Sequence, residues 1–236
     1  MSEHIVSSYD EELRALAGRV AEMGGLAEKL VNDAVSALLT HDLAKAQATV
    51  QADAKLDEMQ QEIEAKFIRI VALRQPMGQD LREIMAAGRI ANDLERVGDL
   101  AKNIAKRVIA IDGVFNSKKA AFGVEHMSDL ALNQLKSVLD AYTGRDAEAA
   151  KAVRERDDEV DAIYTSLFRE LLTYMMEDPR KITQCAHLLF CAKNIERIGD
   201  HATNIAENVY FMVTGDQLLE ARRKIDEMGI AVNEGN

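Results

Sequence analysis

Residues 191–207 read CAKNIERIGDHATNIAE, and residues 90–106 read IANDLERVGDLAKNIAK. Nine of the seventeen aligned positions are identical, among them Glu95/Glu196, Arg96/Arg197, Gly98/Gly199, Asp99/Asp200 and Asn103/Asn204. Most of these repeated residues are polar or glycine, not what a helical core alone would need to preserve. The apolar positions between them, Ile90, Leu94, Val97, Ala101 and Ile104, recur every three or four residues, the signature of an amphipathic helix. The copies predict two helices of one kind, each carrying chemistry on a second face.

Working outward, the repeat covers whole units. Asp42 and Asp146 both stand where a helix begins, as side chains that accept hydrogen bonds from the free amides of a first turn. Aligning them also pairs Asp53 with Asp157, Leu56 with Val160 and Asp57 with Asp161, an offset of 104 residues that becomes 101 beyond the proline loops at Pro76 and Pro179. Each unit has three helices. The first has helices over about 9–40, 42–74 and 78–110, with Gly24-Gly25 a weak point in the first of them. The second has helices ending near Gly144, before Asp178-Pro179 and at Gly215. Residues 112–121, DGVFNSKKAA, break the periodicity and read as the linker. The fold class expected is all-α, two tandem three-helix bundles related by internal repeat: 1–113, 114–215, and a tail over 216–236 that is helical only to about Glu227.

Composition agrees. Strong helix formers fill the 236 residues, there are two prolines and no tryptophan, and 47% of the chain is apolar, enough for a sizeable core. A net charge of −11 argues against nucleic acid, whose phosphates recruit Lys and Arg. No apolar run approaches the roughly 18 residues of a membrane span, and the N-terminus does not read as a secretory signal. Cys185 and Cys191, six apart on one helix, cannot reach each other. Two thiols in such a chain point to a reducing cytoplasm.

The acids fall in pairs four apart: Asp53/Asp57 with Glu95/Asp99, and Asp157/Asp161 with Glu196/Asp200. Residues at i, i+4 share a helix face, where like charges repel. A lone pair of this kind is ordinary on a solvated helix. Here, though, the pairs lie at matching distances on either side of each proline loop. In antiparallel neighbours they meet at one level, roughly 30 Å from the loop at 1.5 Å per residue. Two clusters of four carboxylates result. All-oxygen donors suit hard cations, and carboxylates also bridge iron. The wheel puts Glu95 and Asp99 off the apolar seam with Ala91, Gly98 and Ala105 between, so each site is expected on the bundle's outside.

Arg96 and Arg197 are candidates to pair with these acids or with a partner's carboxylate or phosphate. Asn103 and Asn204 could complete a ligand shell or bond between helices. His201 could join a site, although its repeat mate Leu100 favours a boundary position. His187 and Cys191 sit among Leu188, Leu189 and Phe190 and read as core.

At these residues the chain resembles the PhoU family, regulators of phosphate uptake. The matching pieces are QPMGQDLREI (75–84), NDLERVGDLAKNIA (92–105) and NIERIGDHATNIAENV (194–209), with the acidic pairs of the second and fifth helices. The resemblance implies a pair of three-helix bundles in the cytoplasm, commonly a homodimer. It implies metal ions, Fe, Zn, Mg or Mn, on acidic motifs that fall here on Asp53/Asp57, Glu95/Asp99, Asp157/Asp161 and Glu196/Asp200. It also implies negative regulation of phosphate uptake and of the phosphate-starvation response, as an adaptor between the phosphate-specific ABC transporter ATPase and a sensor histidine kinase. Membrane contact would be indirect, through partners. The halves differ at Leu100/His201, Lys102/Thr203 and Lys106/Glu207, so their metal content is open to differ.

Two other classes stand against a non-enzymatic regulator. A carboxylate-bridged di-metal enzyme uses Glu-x-x-His on two helices, and none of the five histidines, at 4, 41, 126, 187 and 201, has Glu three residues before it. A structural scaffold would leave the acids merely solvated. The sequence also has no phosphate-cradling GxxxxGK[ST] loop.

Overall fold

In the computed structural model the described residues are 2–111 and 118–218, all but the turns between them helical. The elements are α1 (Ser2–Thr40), α2 (Leu43–Arg74), α3 (Gly78–Ala110), α4 (Lys118–Gly144), α5 (Ala147–Glu155), α6 (Asp158–Glu177), a 3-10 turn over Pro179–Lys181, and α7 (Ile182–Thr214). Residues 112–117 and 219–236, which hold most of the expected linker and the expected tail helix, lie outside the described residues.

Local chemistry sets the boundaries. The Asp42 carboxylate accepts from the Lys45 amide at 2.9 Å, and Asp146 accepts from the Ala149 amide at the same distance. The residue before each cap, His41 in one unit and Arg145 in the other, adopts a left-handed conformation at φ 54° and 52°. A non-glycine residue holds that conformation at a cost that the surrounding structure must offset. The duplication therefore extends to a backbone irregularity. At the far end Gly215 turns left-handed at φ 84°, and its amide closes α7 on the Phe211 carbonyl at 2.9 Å.

α1, α2 and α3 form one bundle, and α4 to α7 form the second. Their cores are matched residue for residue: Met23, Ala27 and Val31 recur 104 positions on as Met127, Ala131 and Leu135, all buried. In α3, Ile84, Ile90, Leu94 and Ile104 are fully buried, each stabilising by roughly 1.5–3 kcal/mol relative to exposure. The bundles then pack on each other, α3 against α7 and α1 against α4. α3 and α7 run antiparallel, because the Arg107 guanidinium stacks on Phe190 at 4.4 Å near one end and Arg89 lies 6.0 Å from the Phe211 ring near the other. Among the described residues no helix is long and apolar enough to cross a membrane. Cys185 and Cys191 are free and buried, and burial pushes the Cys191 thiol up to about 12.

Two expectations are corrected. Gly24-Gly25 does not interrupt α1, which runs through both residues. Gly24 instead makes room for the second bundle, since a Cβ there would stand 2.6 Å from Leu139 Cδ2 on α4, whereas Gly25 is exposed with nothing within 4 Å. Gly25→Ala is expected to stabilise the protein by about 1 kcal/mol through helix propensity. Gly24→Ala is expected to lose that gain and more to overpacking, and urea midpoints of the two variants check the contrast.

The second correction is that the expected fifth helix is two helices, broken at Arg156-Asp157, where α2 is continuous. Asp157, Asp158, Glu159 and Asp161 crowd this stretch, and the break creates a new helix start that holds Asp158, Glu159 and Asp161 in its first turn. Acidic side chains are favoured there by the helix dipole. At the break the Arg156 carbonyl accepts from the Glu159 amide at 3.2 Å and from Gln134 Nε2 at 2.8 Å.

Candidate metal centre

The first cluster lies in the crevice between α2 and α3. Asp53 is in the middle of α2, so no helix end is available to its carboxylate, and its side chain is only 4% exposed. Its Oδ2 accepts from Lys102 Nζ at 2.5 Å, and the same ammonium donates to Asp99 Oδ1 at 2.6 Å, bridging the two helices. Asp53 Oδ1 is buried with no hydrogen-bond partner among the described residues. Burial works against the charged form of Lys102, yet the two carboxylate bonds outweigh it and raise the amine well above its ordinary range.

Glu95 and Asp57 complete the cluster. Burial first, then the charges of Asp99, Asp57 and Asp53, raise the Glu95 carboxyl against the lowering effect of Arg96. Burial and the charge of Asp53 raise Asp57, opposed by Lys102. Glu95 and Asp57 thus feel the other acids across the helix pair.

The second cluster occupies the crevice between α6 and α7. Burial, then Glu196, Asp157 and Asp200, push the Asp161 carboxyl up to about 7, with Lys193 opposing. Asp157 accepts from the Thr203 hydroxyl at 2.7 Å, and Glu196 accepts from Lys193 Nζ at 3.1 Å. Lys193 lies 5.1 Å from the Tyr164 ring. The four acids therefore meet, but the residue between the helices is a hydroxyl where the first unit has an ammonium.

Both clusters are less exposed than the wheel implies. Gly98 is the reason in the first: a Cβ there would stand 2.3 Å from Leu56 Cδ2 and 3.1 Å from Asp53 Oδ1. Its missing side chain lets α2 bring Leu56 and Asp53 inward. Gly199 has the same relation to α6 and α4, with Val160 Cγ2 at 3.6 Å and Gln134 Oε1 at 3.2 Å from the same construction. The small residues that appeared to admit a ligand admit the neighbouring helices.

The other candidates separate. Arg96 spans Glu95 and Asp99 at 3.5 and 3.6 Å on the cluster's open side, and Arg197 is exposed at the equivalent position. Asn103 is exposed. His201 and Asn204 turn away from the acids and face the other unit: His201 Nδ1 is 2.9 Å from Asp93 Oδ1, and Asn204 Nδ2 donates to the same oxygen at 3.4 Å. They belong to the α3–α7 seam. Spacing did not single out Asp93, because its partners lie 108 and 111 residues away in the other unit. Lys102 was legible only as a difference between the copies, although its place one turn after Asp99 is the ordinary spacing of a helical ion pair.

A cation would fit the donor set, which is oxygen only, and at Asp161 the charges of Glu196, Asp157 and Asp200 add to burial in raising the carboxyl. As the side chains stand, no group of three or more His, Cys, Asp or Glu among the described residues is gathered closely enough to hold an ion. Binding would have to draw carboxylate rotamers together. In metal-free protein, Asp161 carries an uncharged, protonated form in the fold that it lacks when unfolded, where it titrates near 3.8. Its contribution to stability is complete below that value and is lost as pH rises to about 7. With chelator present, Asp161→Asn is expected to gain melting temperature relative to the parent as pH rises from about 4 to about 7; parallel curves would refute this assignment.

The seven α-helices of the described residues, in two matched bundles each with four carboxylates between its last two helices, define a class: duplicated helical-bundle proteins with an acidic centre per repeat. The PhoU domain matches residues 20–108 and 124–209, and the chain belongs to the PhoU family. It is 62% identical over 223 residues to the phosphate-specific transport system accessory protein PhoU homolog of Rhizobium meliloti (strain 1021), covering 94% of each chain. A homolog of the same description from Caulobacter vibrioides (strain NA1000 / CB15N) is 51% identical, over 96% of this chain and 98% of that one. The crystal structure of PhoU from Pseudomonas aeruginosa superimposes with a TM-score of 0.84 at 39% identity, covering 88% of this chain and all of that one. The phosphate transport system regulatory protein PhoU from Streptococcus pneumoniae superimposes at 0.82 with 27% identity, over 89% and 99%.

Proposed function

We propose that this protein is a cytoplasmic, non-catalytic negative regulator of phosphate uptake and of the phosphate-starvation response. It works by contact, as an adaptor between the ATPase of a phosphate-specific ABC transporter and a sensor histidine kinase, and as a homodimer. The observation that carries the reading is the near full-length likeness to a Rhizobium meliloti protein described as an accessory of phosphate-specific transport. The site chemistry supports it in a limited way: paired carboxylates can take up a divalent cation, and the seam between bundles offers a joint that such binding could bias. Divalent metal, Fe, Zn, Mg or Mn, on the eight acids is part of the proposal. When bound, a metal would supply positive charge that lets the four carboxylates of a cluster approach.

The test is co-purification of the tagged protein with the transporter ATPase and with the kinase from cells grown in high phosphate, together with metal analysis of protein prepared without chelator. Capture of both partners, and phosphate uptake that escapes control in a deletion strain, are the expected results. Capture of neither would overturn the adaptor role, whatever the metal content.

A further inference from the structure

We propose that Lys102 is the resident cation of the first carboxylate cluster, and that the chain takes divalent metal at the second cluster, on Asp157, Asp161, Glu196 and Asp200. This rests on the reading of the acids as metal ligands and narrows it from two equivalent centres to one.

The geometry of the first cluster leaves an ion no place. Lys102 Nζ stands 2.5 Å from Asp53 Oδ2 and 2.6 Å from Asp99 Oδ1, between α2 and α3. A cation bound by those oxygens would sit about 2.0–2.6 Å from each, in the space the ammonium fills and against its charge. Arg96 adds a second positive group at the rim. The residues around this cluster do not fit a metal while Lys102 holds that position.

Three differences of the second unit converge on one place. Thr203 replaces Lys102 in the repeat, and its hydroxyl, which donates to Asp157 at 2.7 Å, is neutral and brings no positive charge to the cluster. Gln134 replaces Leu30, 104 positions earlier, in the layer beneath. Its side chain is buried, its amide nitrogen is held by the Arg156 carbonyl, and its Oε1 has no hydrogen-bond partner among the described residues. That oxygen lies beside Gly199, next to Asp200, while its amide holds the residue next to Asp157. A cation's bound water is the donor this acceptor lacks. Finally, the helix carrying Asp161 starts at the break, so Asp157 stands at a helix start, whereas Asp53 lies within unbroken α2. Lys193 does not substitute for Lys102: it approaches Glu196 from one turn earlier in α7, and its repeat mate is Asn92.

Equilibrium dialysis of chelator-stripped protein against Mn²⁺, with metal analysis, tests this on five chains. The parent is expected to fill one cluster; Lys102→Thr is expected to hold about twice the Mn²⁺; Thr203→Lys is expected to bind at least tenfold more weakly. Asp200→Asn should abolish the parent's binding, and Asp99→Asn should leave it. Thermal melts supply a second readout: Lys102→Thr should melt lower than the parent in chelator and recover on adding Mn²⁺, whereas loss of a merely structural ion pair would not be repaired by metal. Equal Mn²⁺ content in the parent and Lys102→Thr, or unchanged binding in Thr203→Lys, overturns the inference while leaving the metal reading intact. No Mn²⁺ on any of the chains overturns both.

Discussion

Chains carrying Asp99→Asn and Asp200→Asn together are expected to keep their helical far-UV spectrum and to lose bound divalent metal, with affinity falling by two orders of magnitude or more. Each change removes one formal charge and leaves an amide of the same shape, so packing in the two crevices is preserved. Each also takes one oxygen anion from a set of four, and hard cations are held mainly by such anions. In the first cluster the change costs Lys102 one of its two carboxylates, leaving Asp53 as its partner. The melting temperature in chelator should therefore move little, while the gain on adding Mn²⁺, which follows RT ln(1 + [L]/Kd) for a ligand bound only by the folded state, should vanish. Metal retained at the parental level would show that the acids are not the ligands.

The second large effect is steric. Gly98→Val is expected to destabilise the protein by about 3 kcal/mol, read as a lowered urea midpoint at unchanged slope. The first added carbon would already stand 2.3 Å from Leu56 Cδ2, and Leu56 is fully buried, so it has no solvent to retreat into. Overpacking of this kind costs about 1–3 kcal/mol, and a branched side chain adds the helix penalty of β-branching. The added carbon would also press on Asp53, which has Lys102 on one oxygen and Gly98 beside the other. The variant should thus lose stability at the cluster as well as in the core. A value within 0.5 kcal/mol of the parent would mean that α2 and α3 can part at this level without cost.

Much of this arrangement is legible in the sequence. The repeat, the capping aspartates, the proline loops and the level at which the acids meet all follow from short-range rules applied to spacing, and the structure reproduces them. What escaped has a common physical cause. Whether Asp53 is exposed depends on how far α2 sinks onto Gly98, a packing distance that a helical wheel does not contain. The pairing of His201 and Asn204 with Asp93 depends on the antiparallel seam of α3 and α7, which no local pattern specifies. The break at Arg156-Asp157 falls in a crowd of like charges, and the Gln134 amide that bonds to the Arg156 carbonyl there comes from another helix. Lys102 was visible as a letter, but its role required knowing that α2 places Asp53 within reach.

The α3–α7 seam also has a bearing on synthesis. α3 is complete once residue 110 has been made, but the helix it packs against spans 182–214. At roughly 5–20 residues per second, the face of α3 bearing Arg89, Asp93 and Arg107 waits on the order of 5–20 s for its counterpart. That interval favours a face studded with charge over one of plain leucine: an arginine or aspartate in water attracts no stray chain, and later finds an aromatic ring or a histidine. The polar contacts between the bundles are thus suited to a surface that must be soluble first and buried afterwards.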